Sequence, residues 1–149
     1  MTDHSQLCQQ LEQLWHREFP ITQTMQVGVA SFVDHTLETR TPLAPNRNVH
    51  NSAFAGSLYS IQALTAWGLL YLELQLAGIE ASIIHADGNI KFASTVTEAI
   101  VARSSFADHM ECLEEVRSTG KTRLVLSTDV IVDGTVAAAF SGTYLARRV

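Results

Sequence analysis

The sequence predicts an α+β fold in which a long apolar helix is wrapped by a curved antiparallel sheet of about five to six strands. Three observations support this prediction. Segment 53–77 carries apolar residues on all sides of a helix, as in a helix that other elements cover. Most of the C-terminal half alternates apolar and polar residues with the period of a strand. The strands there follow one another with one short helix between them, which is typical of an antiparallel sheet.

Length and composition indicate one domain that spans residues 1–149. The chain is 46% hydrophobic and 17% charged, which suits a folded domain with a sizeable core. The net charge of −5 disfavours nonspecific binding to nucleic acid or to an anionic membrane. Cys8 and Cys112 form no CxxC motif and the N-terminus has no signal-peptide pattern, so we expect a cytoplasmic protein with reduced thiols.

The N-terminal third is predicted to form one helix followed by one or two strands. Leucines at helical spacing make residues 4–18 an amphipathic helix that ends at Pro20. From Thr24 onward the apolar period changes to two. The polar pair Asp34-His35 marks a turn within this strand region, which reaches residue 41.

Segment 42–51 is a polar loop, and the long helix follows it. Asn51 or Ser52 is the predicted N-cap, because both side chains can accept a hydrogen bond from the first turn. Gly78 is well placed to end the helix. The helix is long enough to cross a bilayer, but its serine, glutamine and glutamate side chains would be costly in lipid, so we predict a buried helix.

The C-terminal half contains four predicted strands and one short helix. Gly88 is expected at a β-bulge, Gly120 at the end of the helix, and Asp133-Gly134 in a tight hairpin turn. The strands are predicted at 81–92, 98–106, 122–132 and 136–146, and the helix at 108–119.

The junction between the polar loop and the long helix is the most informative part of the chain for function. Three asparagines and His50 stand just before the helix starts. The first turn of a helix has backbone N–H groups without partners, and the helix dipole is positive there. In a partly buried pocket these groups can hold an oxygen that carries negative charge. The sequence therefore predicts a site for a carbonyl that becomes an oxyanion.

The same junction carries a motif made of Pro42-Leu43, Asn46-x-Asn48 and Phe54-x-Gly56-Ser57-Leu58. This motif resembles one branch of the hotdog-fold superfamily, a set of thioesterase domains that occur free-standing or behind an acetyltransferase domain. The resemblance covers residues 5–147, and no acetyltransferase domain fits in the remainder, so the free-standing form is expected.

The resemblance implies an enzyme that acts on an acyl thioester carried by acyl carrier protein or coenzyme A. It also implies a homodimer or a dimer of dimers, with the active site at the subunit interface and the helix N-terminus aimed at the thioester carbonyl. No cofactor is expected besides the phosphopantetheine arm of the substrate, and no nucleic-acid or membrane partner. Some members of this branch are linked to decarboxylation of malonyl acyl carrier protein in fatty acid synthesis.

The candidate catalytic groups lie on both sides of the helix start. The N–H groups of Ala55 and Gly56 are predicted to contact the carbonyl oxygen, since glycine permits close approach; tight packing against a strand is the alternative reason for Gly56. Asn48, and next Asn46, are the predicted side-chain donors, with a turn-forming role as the alternative. His50 is a further donor or proton-relay candidate. Residues expected to bind the substrate are Asn51, Ser52, Phe54, Ser57, Ser60, Lys121 and Arg123.

The choice between the possible reactions depends on whether a carboxylate lies near the start of the long helix. Hotdog hydrolases usually place an acid one to two turns into the central helix or on the other subunit, but here the first acid on the helix is Glu73, about 25 Å beyond Gly56. Decarboxylation of a malonyl thioester needs only donors for the enolate oxygen, so it is the favoured reaction. Two alternatives stay open. One is hydrolysis, with a second subunit supplying Asp34, Glu38 or Asp87, and the other is a noncatalytic module that binds an acyl carrier.

The remaining polar residues predict a basic rim but no metal site. The six histidines show no HExxH or Cys/His spacing. An acidic carrier protein or a phosphate would require local positive charge. The candidate cations, of which the Lys121 and Arg123 pair and the C-terminal arginines are the most suggestive, are Arg47, Lys91, Arg103, Lys121, Arg123, Arg147 and Arg148.

Overall fold

One long helix lies against a six-stranded antiparallel sheet, which confirms the predicted α+β architecture. The computed structural model describes residues 4–149. The helices are α1 (Ser5–Glu18), α2 (Ile21–Met25), α3 (Ala55–Leu76) and α4 (Glu111–Thr119). The strands are β1 (Gly28–Val33), β2 (Thr36–Thr41), β3 (Ala81–Phe92), β4 (Ile100–Ser105), β5 (Lys121–Val132) and β6 (Thr135–Arg148).

The strand order is β1-β2-β4-β5-β6-β3, so β1 and β3 form the two edges of the sheet. Helix α1 packs against β1 and covers that edge. Strand β3 is 12 residues long, and most of its residues are exposed. The interior strands β4 and β5 instead alternate buried and exposed residues, as expected for a sheet with one face on a core.

Helix α3 is the centre of the hydrophobic core. It contacts β2, β3, β4, β5 and β6, and leucines around its circumference, such as Leu69, Leu70 and Leu72, are fully buried. Trp15 of α1 is also fully buried, and its ring lies over Gly68, where a side chain would collide with it. The predicted burial of this helix on most sides is confirmed. Within residues 4–149, no helix is long and apolar enough to cross a membrane.

Both predicted tight turns are present with backbone angles that explain their residues. Asp34 and His35, between β1 and β2, have φ values of 50° and 61°. Asp133 and Gly134, between β5 and β6, have φ values of 50° and 75°. Two successive positive φ angles match the right-handed twist of a hairpin, and aspartate and glycine tolerate them.

The start of α3 differs from the prediction. Neither Asn51 nor Ser52 caps the helix; the N-cap is Phe54, and the helix begins at Ala55. The segment before it is held instead by backbone pairing, because Ala53 N–H donates to Val96 O at 2.7 Å. The C-terminal prediction is confirmed, since the helix ends at Leu76, just before Gly78.

Two further local predictions are wrong. The strand predicted from Thr24 begins only at Gly28, because residues 21–25 form helix α2, in which Pro20 has a helical φ of −56° and Thr22 and Met25 are buried. The irregularity in β3 lies between His85 and Asp87, while Gly88 pairs regularly with Gly142 of β6.

Candidate active site

The first turn of α3 has no side-chain cap. Phe54 is the N-cap residue, and its apolar ring cannot accept a hydrogen bond. Within residues 4–149, the N–H groups of Ala55, Gly56 and Ser57 have no acceptor, and the first bonded N–H is that of Leu58, which donates to Phe54 O at 3.0 Å. Free N–H groups and the positive end of a 22-residue helix together favour an oxygen with negative charge.

Gly56 lies directly under the ring of Phe54. A Cβ atom at position 56 would be 2.5 Å from Phe54 Cε2 and 2.9 Å from its Cζ. The tight packing around this glycine therefore involves an aromatic ring and not a strand. Phe54 is 54% exposed, so its ring has room to move away from the helix. When it does, the backbone at Gly56 is open to a close approach.

Asn48 organises the loop through its amide oxygen and leaves its amide nitrogen weakly bonded. Asn48 Oδ1 accepts hydrogen bonds from His50 N at 2.9 Å, from Ser52 N at 3.2 Å and from Ser52 Oγ at 3.1 Å. Asn48 Nδ2 has only a 3.5 Å contact, to Ala53 O, two residues before α3 begins. The side chain is thus oriented by its oxygen, while the nitrogen can donate elsewhere. His50 and Asn51 are exposed on the same loop.

Asn46 has no such freedom. It is 2% exposed, and its amide nitrogen donates to Met25 O and to Pro42 O, each at 2.9 Å. Its backbone oxygen accepts the N–H of Phe54 at 2.8 Å. Asn46 therefore fixes the loop to the end of α2 and to the residue that precedes α3, and both of its amide hydrogens are used within the chain.

An apolar cavity of about 220 Å³ lies beside α3, where Ser60, Ala63, Leu64 and Trp67 line it. Ser60 lies at its edge and donates from Oγ to Gly56 O at 2.8 Å, as expected for a helix hydroxyl. Ser57 is half-buried one turn earlier. The other lining residues come from α3, from the α1–α2 corner and from β3, and include Leu64, Trp67, Phe19, Met25 and His85.

A cluster of aromatic side chains joins β3 and β6 to the start of α3, and the sequence analysis missed it. The ring of His85 stacks on that of Tyr144, with centroids 4.7 Å apart, and lies 5.8 Å from that of Phe140. Tyr59 of α3 packs edge-on against Phe140 at 5.3 Å. His85 Nε2 donates to Asp87 O at 2.6 Å. The residues belong to no motif, so only their shared position across two strands reveals the cluster.

The carboxylates considered for water activation lie in different parts of the fold. Glu73 is buried near the far end of α3 and accepts a hydrogen bond from His35 Nδ1 at 2.7 Å. Burial raises the pKa of the Glu73 carboxyl above its ordinary value, although the bond from His35 opposes this rise. Asp34 lies in the same hairpin turn as His35, and Glu38 is paired with Arg103 at 2.6 Å.

Asp87 differs from these because it lies on the open edge of the sheet. Its Oδ1 accepts the N–H of Thr143 at 3.3 Å, and its side chain is exposed. The neighbouring Gly88 lies against the hydroxyl of Tyr59, near the start of α3. Asp87 is therefore next to a residue that contacts Tyr59, in the turn of α3 that follows the free N–H groups.

Of the predicted basic residues, Arg47 lies beside the start of α3, where it pairs with Ala53, but Lys121, Arg123 and the C-terminal arginines do not. Lys121 and Arg123 lie at the start of β5, and Lys121 pairs with Arg147 near the chain end. This is the end of the sheet where β3 begins, just after α3 has ended. Arg148 instead donates to Arg117 O at 2.6 Å, at the end of α4. Within residues 4–149, no three His, Cys, Asp or Glu side chains are grouped so that they could hold a metal ion.

Comparison with known proteins identifies the family of this chain. Residues 8–148 match the protein family described as "Putative thioesterase (yiiD_Cterm)". The chain belongs to this hotdog-fold thioesterase family. The match covers nearly the whole chain, including the loop, the free turn of α3 and the edge strand β3.

Solved structures support the family assignment. One described as the putative thioesterase from Shewanella oneidensis is 34% identical, with a TM-score of 0.88 over 96% of this chain and 99% of that one. A Chlorobaculum tepidum protein of unknown function is 27% identical, with a TM-score of 0.91 over 97% of this chain and 96% of that one. A Pseudomonas aeruginosa protein described as a probable thioesterase shares the fold at 19% identity, with a TM-score of 0.81 over 95% of each chain.

Proposed function

We propose that this protein hydrolyses an acyl thioester, and that the free N–H groups at the start of α3 polarise the thioester carbonyl. The observation that carries the proposal is the uncapped first turn of α3. Within residues 4–149, the backbone N–H groups of Ala55, Gly56 and Ser57 have no hydrogen-bond acceptor. A donor aimed at a developing oxyanion lowers the barrier by about 3 kcal/mol. The weakly bonded Nδ2 of Asn48 is the proposed side-chain donor to the same oxygen.

The cavity beside α3 supports an apolar acyl group. Gly56, Ser60 and Trp67 follow one another along one side of the helix, so an acyl chain can run from the free turn into the cavity. An apolar cavity of about 150 Å³ binds benzene, so about 220 Å³ has room for a hydrocarbon of roughly six to nine carbons. The lining of the cavity is almost entirely apolar, which favours a hydrocarbon chain over a malonyl carboxylate.

A second copy of the chain is part of the proposal. Strand β3 is a long, exposed edge, and such an edge can pair with another strand. We propose a homodimer, or a dimer of dimers, that is completed along β3. Asp87 lies on this edge and is the proposed base that activates water.

Decarboxylation of a malonyl thioester is the second candidate reaction. Residues 55–72 of α3 contain no Asp or Glu, so the helix has no carboxylate near its free first turn. The free N–H groups suffice to stabilise an enolate oxygen, and no general base is required in that step.

One product assay separates these reactions. Octanoyl and malonyl thioesters of coenzyme A and of acyl carrier protein are incubated with the protein. Release of free thiol from the octanoyl substrates supports the proposal, and conversion of malonyl to acetyl thioester with release of CO₂ supports the second candidate. Binding of a carrier without either product would mean a noncatalytic module.

The same assay tests the role of Asp87. Asp87→Asn is expected to lower the rate of thiol release by about 10²–10⁴-fold, because a general base is lost. Asp34→Asn, in the turn between β1 and β2 at the other edge of the sheet, is the matched control and is expected to keep the wild-type rate. An Asp87→Asn variant with wild-type hydrolysis would remove this residue from the mechanism.

A further inference from the structure

The lining of the cavity beside α3 contains one polar ring among apolar side chains. Apart from Thr22, Ser60 and His85, every lining residue is apolar. The hydroxyl oxygen of Thr22 is fully buried, and Ser60 Oγ already donates to Gly56 O at 2.8 Å. The imidazole of His85, on β3, is therefore the remaining polar group that a ligand in the cavity can meet.

The hydrogen bond that His85 makes fixes the role of each ring nitrogen. Nε2 lies 2.6 Å from Asp87 O, and a carbonyl oxygen only accepts, so Nε2 carries a hydrogen. In the neutral ring, Nδ1 then carries no hydrogen and is an acceptor. Within residues 4–149, Nδ1 has no hydrogen-bond partner. A ligand that offers a hydroxyl hydrogen would complete the hydrogen bonds of this ring.

The aromatic cluster sets the position of His85 along α3. The ring of His85 stacks on that of Tyr144, and Tyr144 Oη donates to Ala63 O at 2.7 Å. The ring of Tyr59, one turn earlier in α3, lies 6.3 Å from that of His85. His85 thus lies beside the helix segment between Tyr59 and Ala63. Measured from Gly56, this segment extends from about 4.5 Å to about 10.5 Å along the helix axis.

An acyl chain that enters from the free turn would meet His85 with its distal half. An extended chain advances roughly 1.2 Å per bond, because the three backbone bonds of a residue span at most about 3.6 Å. A distance of 4.5 Å along the axis is then about four bonds from the carbonyl carbon. The ring therefore lies beside carbon 5 and the carbons that follow it.

We propose that the cavity binds acyl chains with a hydroxyl group in their distal half, and that His85 Nδ1 accepts a hydrogen bond from this group. A hydroxyl group that enters an apolar cavity loses its hydrogen bonds to water, and the His85 nitrogen replaces one of them. A hydrocarbon chain would instead cover Nδ1 and leave it unpaired. The inference rests on the proposed function for the place of the carbonyl, and it names the class of acyl group.

Calorimetry with free carboxylic acids tests the inference without any turnover, since a carboxylate suits the free helix turn. Wild-type protein is titrated at pH 8 with octanoate, 3-hydroxyoctanoate, 7-hydroxyoctanoate and 7-oxooctanoate. We expect 7-hydroxyoctanoate to bind about three- to tenfold more tightly than octanoate, the usual gain from one hydrogen bond. The 3-hydroxyl group lies too near the free turn and the 7-oxo group cannot donate, so neither should gain. Equal affinities for octanoate and 7-hydroxyoctanoate, or an equal gain for 7-oxooctanoate, would overturn the inference.

Two variants then identify the acceptor. His85→Phe keeps a ring that can stack on Tyr144 but removes both nitrogens, so 7-hydroxyoctanoate and octanoate should bind equally. Tyr59→Phe removes the neighbouring hydroxyl group, which lies against Gly88, and should keep the wild-type preference. If Tyr59→Phe loses the preference, or His85→Phe keeps it, the inference is wrong.

The wild-type titrations decide the question even if His85→Phe does not fold. They also separate this inference from the proposed function. A wild-type protein that prefers 7-hydroxyoctanoate but hydrolyses no thioester would confirm the binding site and contradict the proposed hydrolysis.

Discussion

At the scale of single residues, the amide oxygen and the amide nitrogen of Asn48 have different roles. Its oxygen accepts three hydrogen bonds that shape the loop, whereas its nitrogen has only a 3.5 Å contact with Ala53 O. Replacing Asn48 with aspartate keeps an acceptor for His50 and Ser52 but removes the donor.

We therefore expect Asn48→Asp to lower kcat by about 10²–10³-fold, the usual loss for one oxyanion donor, while the melting temperature changes little. The measurements are thioester hydrolysis and thermal unfolding. Asn48→Ala is the comparison, since it removes the acceptor as well and should cost about 1–3 kcal/mol of unfolding free energy. Full activity in Asn48→Asp would limit this residue to holding the loop.

The sequence could predict which residues surround the helix start, but not how each one is used. Asn46 and Asn48 are equivalent as residue types, and both were candidates for the same donor role. Burial decides between them, because both amide hydrogens of Asn46 are bonded to backbone carbonyls at 2.9 Å, whereas Asn48 Nδ2 has a single contact, at 3.5 Å. Such burial depends on how α2 packs against the loop, and the sequence analysis did not predict α2.

At the scale of elements, alanine substitutions at two glycines of α3 are expected to have opposite effects on activity and stability. Gly56 faces the exposed ring of Phe54, whereas Gly68 faces the buried ring of Trp15. Gly56→Ala should change the free energy of unfolding by less than about 1 kcal/mol, because the exposed ring can move and alanine favours the helix. It should lower kcat/KM at least about tenfold, since the added methyl group displaces the carbonyl from the N–H groups.

Gly68→Ala is the matched control in the same helix. Its methyl group would collide with Trp15, so a loss of about 1–3 kcal/mol in unfolding free energy is expected. Denaturant unfolding and steady-state kinetics measure both variants. Unchanged kcat/KM in Gly56→Ala would show that this glycine only accommodates the ring.

The sequence predicted local structure correctly where the backbone conformation favours particular residue types. The turns at Asp34-His35 and Asp133-Gly134 follow from positive φ angles, and these were predicted correctly. Helix α2 was missed because five residues are too few to show a helical period. The bulge was predicted at Gly88, but the register shifts between His85 and Asp87. A glycine in a strand marks either a bulge or a close approach of another group, and at Gly88 it is the side chain of Tyr59 that approaches.

At the scale of the whole molecule, β3 leaves an open edge with an exposed aromatic residue. Phe92, at the end of β3, is 51% exposed. Val125, on the interior strand β5, is 53% exposed and serves as the comparison. If two copies pair along β3, Phe92→Glu should raise the dissociation constant of the dimer at least about tenfold, because a charge would be buried at the interface. Val125→Glu should leave it unchanged. Sedimentation at several concentrations provides the measurement, and a wild-type monomer would contradict the pairing.

The order of the strands lay beyond the sequence. Alternating residues identified the strands, and the resemblance of the loop motif identified the family, but neither one places β3 next to β6. That neighbour relation brings Ser82 beside Arg147 and His85 beside Tyr144. The aromatic cluster therefore depends on contacts between distant segments, which periodicity does not report.

Gly88 and Gly142 face each other across β3 and β6, so the sheet presents no side chain at that level. The rings of Tyr59, His85 and Phe140 fill the hollow. Rings turn about single bonds on a much shorter timescale than strands separate. Tyr59 and His85 are only partly buried, so their rings can change rotamer there while the hydrogen-bonded strands keep their form.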